Sequence, residues 1–225
     1  MNSVSIELNN RAVAYLRAGD SIKAFQLLSN NAYNISLQGV TNHTNVDSDR
    51  SPFRFHWEDC SKAGISNDST VFSWEEGSTC FLFLKALRVA VSDDVDVDVD
   101  ELCPCGYAWV IWYNLAICCS VIGTRLGNKQ GRKLLETAFD LYCRVQKEID
   151  NEPSSKHWDL LQMASINNQA CIYHDYGMRA KTREYLEQLA SIVLKSRDFE
   201  CEDKTQAFFA FNLQILGTVS VASAA

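Results

Sequence analysis

Residues 112–123 read Trp-Tyr-Asn-Leu-Ala-Ile-Cys-Cys-Ser-Val-Ile-Gly, and their spacing recurs twice elsewhere in the chain. Leu8, Asn10, Ala12, Tyr15 and Gly19 repeat it on the N-terminal side; Ile166, Asn168, Ala170, Tyr173 and Gly177 repeat it on the C-terminal side. Trp112, Asn114, Ala116, Cys119 and Gly123 complete the set, giving apolar-x-Asn-x-Ala-x-x-Tyr/Cys-x-x-x-Gly three times. Internal repetition of this kind is the signature of stacked helical hairpins, each of which needs a neighbour to bury its apolar face.

The flanking residues support helices. Val4, Leu8, Ala12, Tyr15 and Leu16 recur at three and four, which predicts an amphipathic helix over 4–18. Gly19-Asp20 ends it, and Asp20 is a natural cap for a second helix marked by Ala24, Leu27, Leu28 and Ala32. After Pro104 the spacing predicts helices over 104–123, 128–149, 156–176, 180–196 and 203–217, with Asn128 and Asp203 as caps. Asn151-Glu-Pro-Ser-Ser is a clear helix break.

Between the first hairpin and Pro104 the character changes. Residues 34–70 are rich in Asn, Ser, Thr and Asp and read as a long loop with a short strand at Phe53–Trp57. A β-hairpin is expected with arms near 70–74 and 80–91, although Lys85-Ala86-Leu87-Arg88 also fits one helical turn. The run Ser92-Asp-Asp-Val-Asp-Val-Asp-Val-Asp-Glu101 lacks the glycine and the ligand spacing of a calcium loop and reads as a solvated acidic linker. The expected organisation is one interrupted domain over 1–225: a first hairpin at 3–33, a loop and β insert at 34–103, and further repeat helices at 104–218. The fold class is mainly α, an antiparallel array of helical hairpins with a small β-hairpin insert.

Composition narrows the function. Hydrophobic residues make up 47% of 225, enough for a sizeable core. A net charge of −7 and a pI near 5.1 argue against a nucleic-acid partner, which needs clustered Lys and Arg. Nine cysteines, an odd number spread through apolar runs, predict reduced thiols and an intracellular, cytoplasmic setting. No signal-like leader is seen at MNSVSIELNN, and the sequons at Asn34, Asn42 and Asn67 read as chance matches. No membrane partner is expected, because the longest apolar-rich stretch, Tyr107 to Ile122, is interrupted by Asn114 and Ser120 and reads as a buried helix.

The recurring pattern resembles the tetratricopeptide repeat family. Leu8, Trp112 and Ile166 match the large residue at that family's fourth position; Ala12, Ala116 and Ala170 match the small residue at its eighth. Tyr15 and Tyr173 match the aromatic eleventh, from which Cys119 departs, and Gly19, Gly123 and Gly177 match the turn. In the second helix of each hairpin Ala24 and Ala138 fit, whereas Asn31 and Thr182 do not. Coverage is roughly 4–32 and 104–197, and the alanines lie 104 and 54 positions apart, away from a regular period. The Phe-rich strand ahead of an Asn-Leu-Ala helix also resembles algal proteins of the same helical type, a likeness that implies no function.

What the family resemblance implies is binding of an extended peptide in a concave groove. Some members clasp the ligand backbone with an asparagine at this position, since its amide both accepts from N–H and donates to C=O. The peptide-binding residues nominated are Asn10, Asn114 and Asn168; the bland alternative is that each bonds to a neighbouring part of its own array. The carboxylate clamp for chaperone C-termini needs basic residues where Ala164 and Asn168 stand, which argues against that partner.

No catalytic, cofactor or metal residues are nominated. Cys103-Pro-Cys105 and Cys118-Cys119 lack the paired spacing of a zinc site and read as ordinary thiols. Gly123–Gly131 is glycine-rich but follows a helix, so it reads as a hinge and not a phosphate loop. His174 and Asp175 are helical neighbours expected to point apart. The expected role is a non-enzymatic protein- or peptide-interaction module. The alternatives are a self-assembling subunit using the apolar helix Phe208 to Leu216, or an enzyme with His56, Asp59 or Cys60 at its site in the 34–103 insert.

Overall fold

The structure is a computed structural model and describes residues 3–37, 53–60, 82–91, 108–150, 156–195 and 203–222. Among these the chain is mainly helical with one two-stranded antiparallel sheet. In order the elements are α1 (Ser3–Arg17), α2 (Ser21–Leu37), β1 (Phe53–Asp59), β2 (Lys85–Val91), α3 (Ala108–Leu126), α4 (Lys129–Asp150), α5 (Lys156–Asp175), α6 (Arg179–Lys195) and α7 (Asp203–Ala222). Two compact units divide them: Met1–Phe72 with Leu84–Val145, and Ser73–Phe83 with Gln146–Ala225.

In the first unit, α1 and α2 form a hairpin closed by a specific C-cap. Gly19 is left-handed, at φ 86. The Gly19 N–H donates to Leu16 O at 3.0 Å and the Asp20 N–H to Tyr15 O at 2.9 Å, the two bonds of a Schellman motif. Asp20 then caps α2 through the Lys23 N–H, 3.1 Å away. Asn31, the residue that breaks the small-residue pattern of the second helix, is buried and donates to Ser5 O at 3.0 Å, tying α2 back to α1.

The helix α3 is buried almost all round, with Trp109, Val110, Ile111, Tyr113, Leu115, Ile117 and Val121 in the core. By length and apolarity it would suffice to cross a bilayer, but 72% of its most apolar window is buried within protein, as expected of a core helix. The spacing placed a turn at Gly123, and the structure corrects this. Here α3 runs on to Leu126, and Gly127, at φ 58, takes the left-handed position. Gly123 instead lies inside the helix, where a Cβ would meet Gly131 O at 2.8 Å and Leu135 Cγ at 2.9 Å. The glycine is therefore required by the close approach of α4. Asn128 caps that helix as expected, accepting from the Gln130 and Gly131 N–H groups at 2.9 and 3.0 Å.

The second unit repeats the first turn. Gly177 is at φ 66, its N–H donates to His174 O, and the Met178 N–H donates to Tyr173 O, both at 2.9 Å. The same residues at the same offsets thus build the same cap twice. Tyr173 meets Tyr185 across the α5–α6 hairpin, ring centroids 5.4 Å apart. Thr182 is buried and satisfies its hydroxyl on Met178 O at 3.2 Å, which explains how a polar residue stands at a small-residue position.

The expected small antiparallel β element is present. The strand β2 lies within the predicted arm 80–91, and Lys85–Arg88 are strand and not a helical turn. Its partner is β1, with Trp57 opposite Leu87 and Glu58 opposite Ala86. Phe-Arg-Phe-His-Trp-Glu-Asp alternates aromatic with polar, the period of a strand with one buried face. The predicted arm 70–74, the acidic linker 92–101 and Cys103–Cys105 lie outside the described residues.

Candidate functional site

The site is built around the free edge of β2. Antiparallel pairing turns the polar groups of alternate residues toward the partner strand. The Cys60 N–H donates to Leu84 O at 2.8 Å, so the even-numbered residues face β1. The odd-numbered residues present their N–H and C=O groups on the opposite edge, where a third strand would ordinarily bond. No third strand is found there among the described residues.

Asparagine side chains take its place. The Asn10 Nδ2 donates to Val89 O at 2.7 Å, and the Val89 N–H donates to Asn10 Oδ1 at 2.9 Å. Asn114 makes the same pair of bonds to Leu87, both at 2.8 Å. In the second unit, the Phe83 N–H donates to Asn168 Oδ1 at 2.7 Å and Asn168 Nδ2 donates to Phe83 O at 3.2 Å. All three nominated residues therefore clasp backbone, each with donor and acceptor together, and the backbone is the chain's own insert. Asn114 and Asn168 are wholly buried and Asn10 is half-buried. A buried peptide group without such partners would cost about 1–3 kcal/mol.

The residue preceding each asparagine was missed in the sequence. Asn9 is buried, donates to Leu87 O at 3.0 Å and accepts from Asn114 Nδ2 at 2.9 Å. Both amide hydrogens of Asn114 are thereby used. Tyr113, at the matching position, donates its hydroxyl to Lys85 O at 3.2 Å. Asn167 bonds to Asn168 Oδ1 at 3.2 Å and accepts from Asn212 Nδ2 at 2.7 Å. The Asn-Asn dipeptide at 9–10 and again at 167–168 was the available signal.

Apolar contacts hold the strand from its faces. Ala86, Leu87 and Val89 are buried, while Arg88 is exposed. Trp57 lies edge-on to Tyr113 at 5.8 Å between centroids, and Tyr113 meets Tyr142 at 6.0 Å. Burial pushes the Tyr113 hydroxyl well above the usual phenol range, so it stays a hydrogen-bond donor. Arg17, near the end of α1, pairs with Glu58 at 3.1 Å and joins that helix to β1. In the second unit Phe83 stacks on Phe209 at 5.0 Å and meets Phe208 at 5.5 Å. Part of the apolar face of α7 considered for self-assembly is therefore covered from within that unit.

The residues weighed for catalysis do not converge. His56 and Asp59 are exposed and lie on opposite faces of β1, three residues apart in a structure of period two. Cys60 is buried, its thiol donates to Glu58 O at 3.3 Å, and burial pushes its pKa up to about 11, which disfavours the nucleophilic thiolate. Cys118 and Cys119 are also buried, with pKa values raised by burial, that of Cys119 to about 12. Among the described residues no three His, Cys, Asp or Glu side chains are grouped to hold a metal ion. His174 and Asp175, expected to point apart, come within 3.9 Å at the end of α5. Burial raises the Asp175 carboxyl to about 7.

Comparison of the chain with protein-family models, with curated proteins and with solved structures gave no match.

Proposed function

We propose that this chain is a non-enzymatic protein-interaction module of the tetratricopeptide type, which holds an extended polypeptide by its backbone. The observation that supports this reading is the two-bond asparagine clasp, made by Asn10 on Val89 and by Asn114 on Leu87. Such a clasp uses one N–H and one C=O of the strand and no side chain, so it suits an extended segment of many sequences. The buried thiols fit a reducing, cytoplasmic setting.

The test is a displayed library of random peptides screened on the full chain. Each enriched peptide is then remade with N-methyl groups on alternate residues. Backbone recognition predicts that methylating one alternate set abolishes binding while the other set is tolerated. Failure to enrich any peptide either on the full chain or on a Leu87→Pro variant that weakens the strand held by Asn114, or peptides indifferent to either set, would refute the proposal.

A further inference from the structure

We propose that β2 is a built-in occupant, and that the partner of the first unit is a β-strand of matching chemistry which adds antiparallel to β1 in its place. This rests on the reading of the chain as a backbone-holding module and specifies the ligand of that same site.

The strand is gripped from both edges. On one side lies the ladder to β1, from Phe53 opposite Val91 to Asp59 opposite Lys85. On the other lie Asn10, Asn9, Asn114 and Tyr113, which together engage Val89, Leu87 and Lys85. With β2 withdrawn, the remaining surface would be a slot with a strand edge on one wall and side-chain amides on the other. Such a slot takes only an extended backbone, because each wall offers alternating donors and acceptors at strand spacing.

The occupant present defines what fits. Positions equivalent to Leu87 and Val89 must keep their N–H groups, so neither can be proline. Both side chains are buried and apolar, and Ala86 between the two walls is wholly buried and small. Arg88 is exposed while its backbone faces β1, so that position is open to any residue except proline. The partner is thus a segment reading small-apolar-any-Val or its near equivalent, in extended form. An outside strand competes with one that is covalently attached, and the attached one has an effective concentration in about the millimolar range. The full chain therefore binds such a strand weakly until β2 is weakened.

The probe is a fluorescent peptide copying residues 83–91, Phe-Leu-Lys-Ala-Leu-Arg-Val-Ala-Val. Its binding is measured to the full chain and to a Leu87→Pro, Val89→Pro double variant, in which β2 loses both donors to the asparagines. The variant is expected to bind at least about tenfold more tightly, since its slot is open more of the time. A peptide carrying proline at the same two positions is expected not to bind. If the variant keeps its helical signal and binds no better than the unaltered chain, the inference is overturned. Library peptides held by their backbones equally in both chains would overturn it while leaving the module reading intact; absence of any such peptide on either chain removes both. If the variant unfolds, hydrogen exchange on the unaltered chain decides. Leu87 and Val89 amides that exchange faster than the core amides of α3 support the occupant, and equal rates make β2 permanent core and sink the inference.

Discussion

Asn114 and Leu87 exchange two hydrogen bonds of 2.8 Å, the side chain of one residue standing to the main chain of the other as a neighbouring strand would. The helix that carries Asn114 is thereby joined to the sheet through a peptide-like group, and the edge of β2 is closed without another strand.

Removing that group should be costly. Asn114→Ala leaves the buried N–H and C=O of Leu87 without these bonds and should lower stability by about 2–4 kcal/mol. Asn10→Ala, at a half-buried position, should cost about 1 kcal/mol. Asn114→Asp retains the acceptor and loses the donor, so it should fall nearer to the alanine variant than to the unaltered chain. Urea unfolding of the three variants checks the order. An Asn114→Ala protein as stable as the parent would show that the clasp carries no net energy.

The repeated small residues should tolerate no added bulk. Ala116 and Ala170 are both wholly buried. Either Ala→Leu change should overpack its site and cost about 1–3 kcal/mol, read as a drop of several degrees in the melting temperature. Unchanged melting in both would mean that the helices can separate freely at these positions.

Gly131 is held to its identity by Gly123. A Cβ at Gly131 would run into Gly123 O and lie 3.1 Å from Leu126 Cβ. Gly131→Ala should therefore destabilise by about 1–3 kcal/mol through displacement of α4. Gly127→Ala meets no neighbour, and its penalty comes only from the φ of +58, so it should cost about 1 kcal/mol. Denaturation of the pair separates packing from backbone strain; a larger effect at Gly127 would contradict the assignment.

Asp175 makes a pH-dependent contribution. The residue as a whole is exposed, but its side chain keeps only 24% of its accessible surface, and this loss of solvent raises its carboxyl from 3.8 to about 7, so the folded chain holds a proton that the unfolded chain releases. Between those values the folded state binds more protons, and stability from this group falls as pH rises from about 4 to about 7. Asp175→Asn should flatten that part of the stability profile. Melting temperatures across the interval provide the check, and an unaltered slope in the variant would exclude Asp175 as its source.

Thiol reactivity should follow burial. Cys143 is exposed, whereas Cys60, Cys118, Cys119 and Cys171 are buried. Brief alkylation of the native chain, read peptide by peptide in a mass spectrometer, should mark Cys143 well ahead of those four. Rapid marking of Cys118 or Cys119 would show that α3 opens locally.

Much of this was legible in the residues, for identifiable reasons. The helical hairpins follow from three- and four-residue spacing, and the caps at Asp20 and Asn128 from short polar side chains placed just before apolar runs. The three asparagines stood out because they recur at one offset from Ala12, Ala116 and Ala170. What they hold could not be read, because a clasp on backbone leaves no mark in the sequence of the strand being held. The pairing of β1 with β2 was missed because their partners lie 38 positions apart at Phe53 and Val91, and local turn chemistry carries no information over that distance. Gly123 was misassigned because a glycine demanded by a neighbouring helix looks the same as one demanded by a turn.

The clasps also act as a ruler. Val89 and Leu87 are two residues apart, so the amides of Asn10 and Asn114 fall on one edge of the strand only. Sliding β2 by one residue would offer them Ala86 and Arg88, whose polar groups are turned toward β1, and turning the strand over to restore those bonds would bring the Arg88 side chain toward the interior. The alignment of the strand is thus set by the grip on its two edges. Any strand offered to this edge is therefore held in a single frame, with the two residues that turn their backbone to Asn10 and Asn114 spaced two apart.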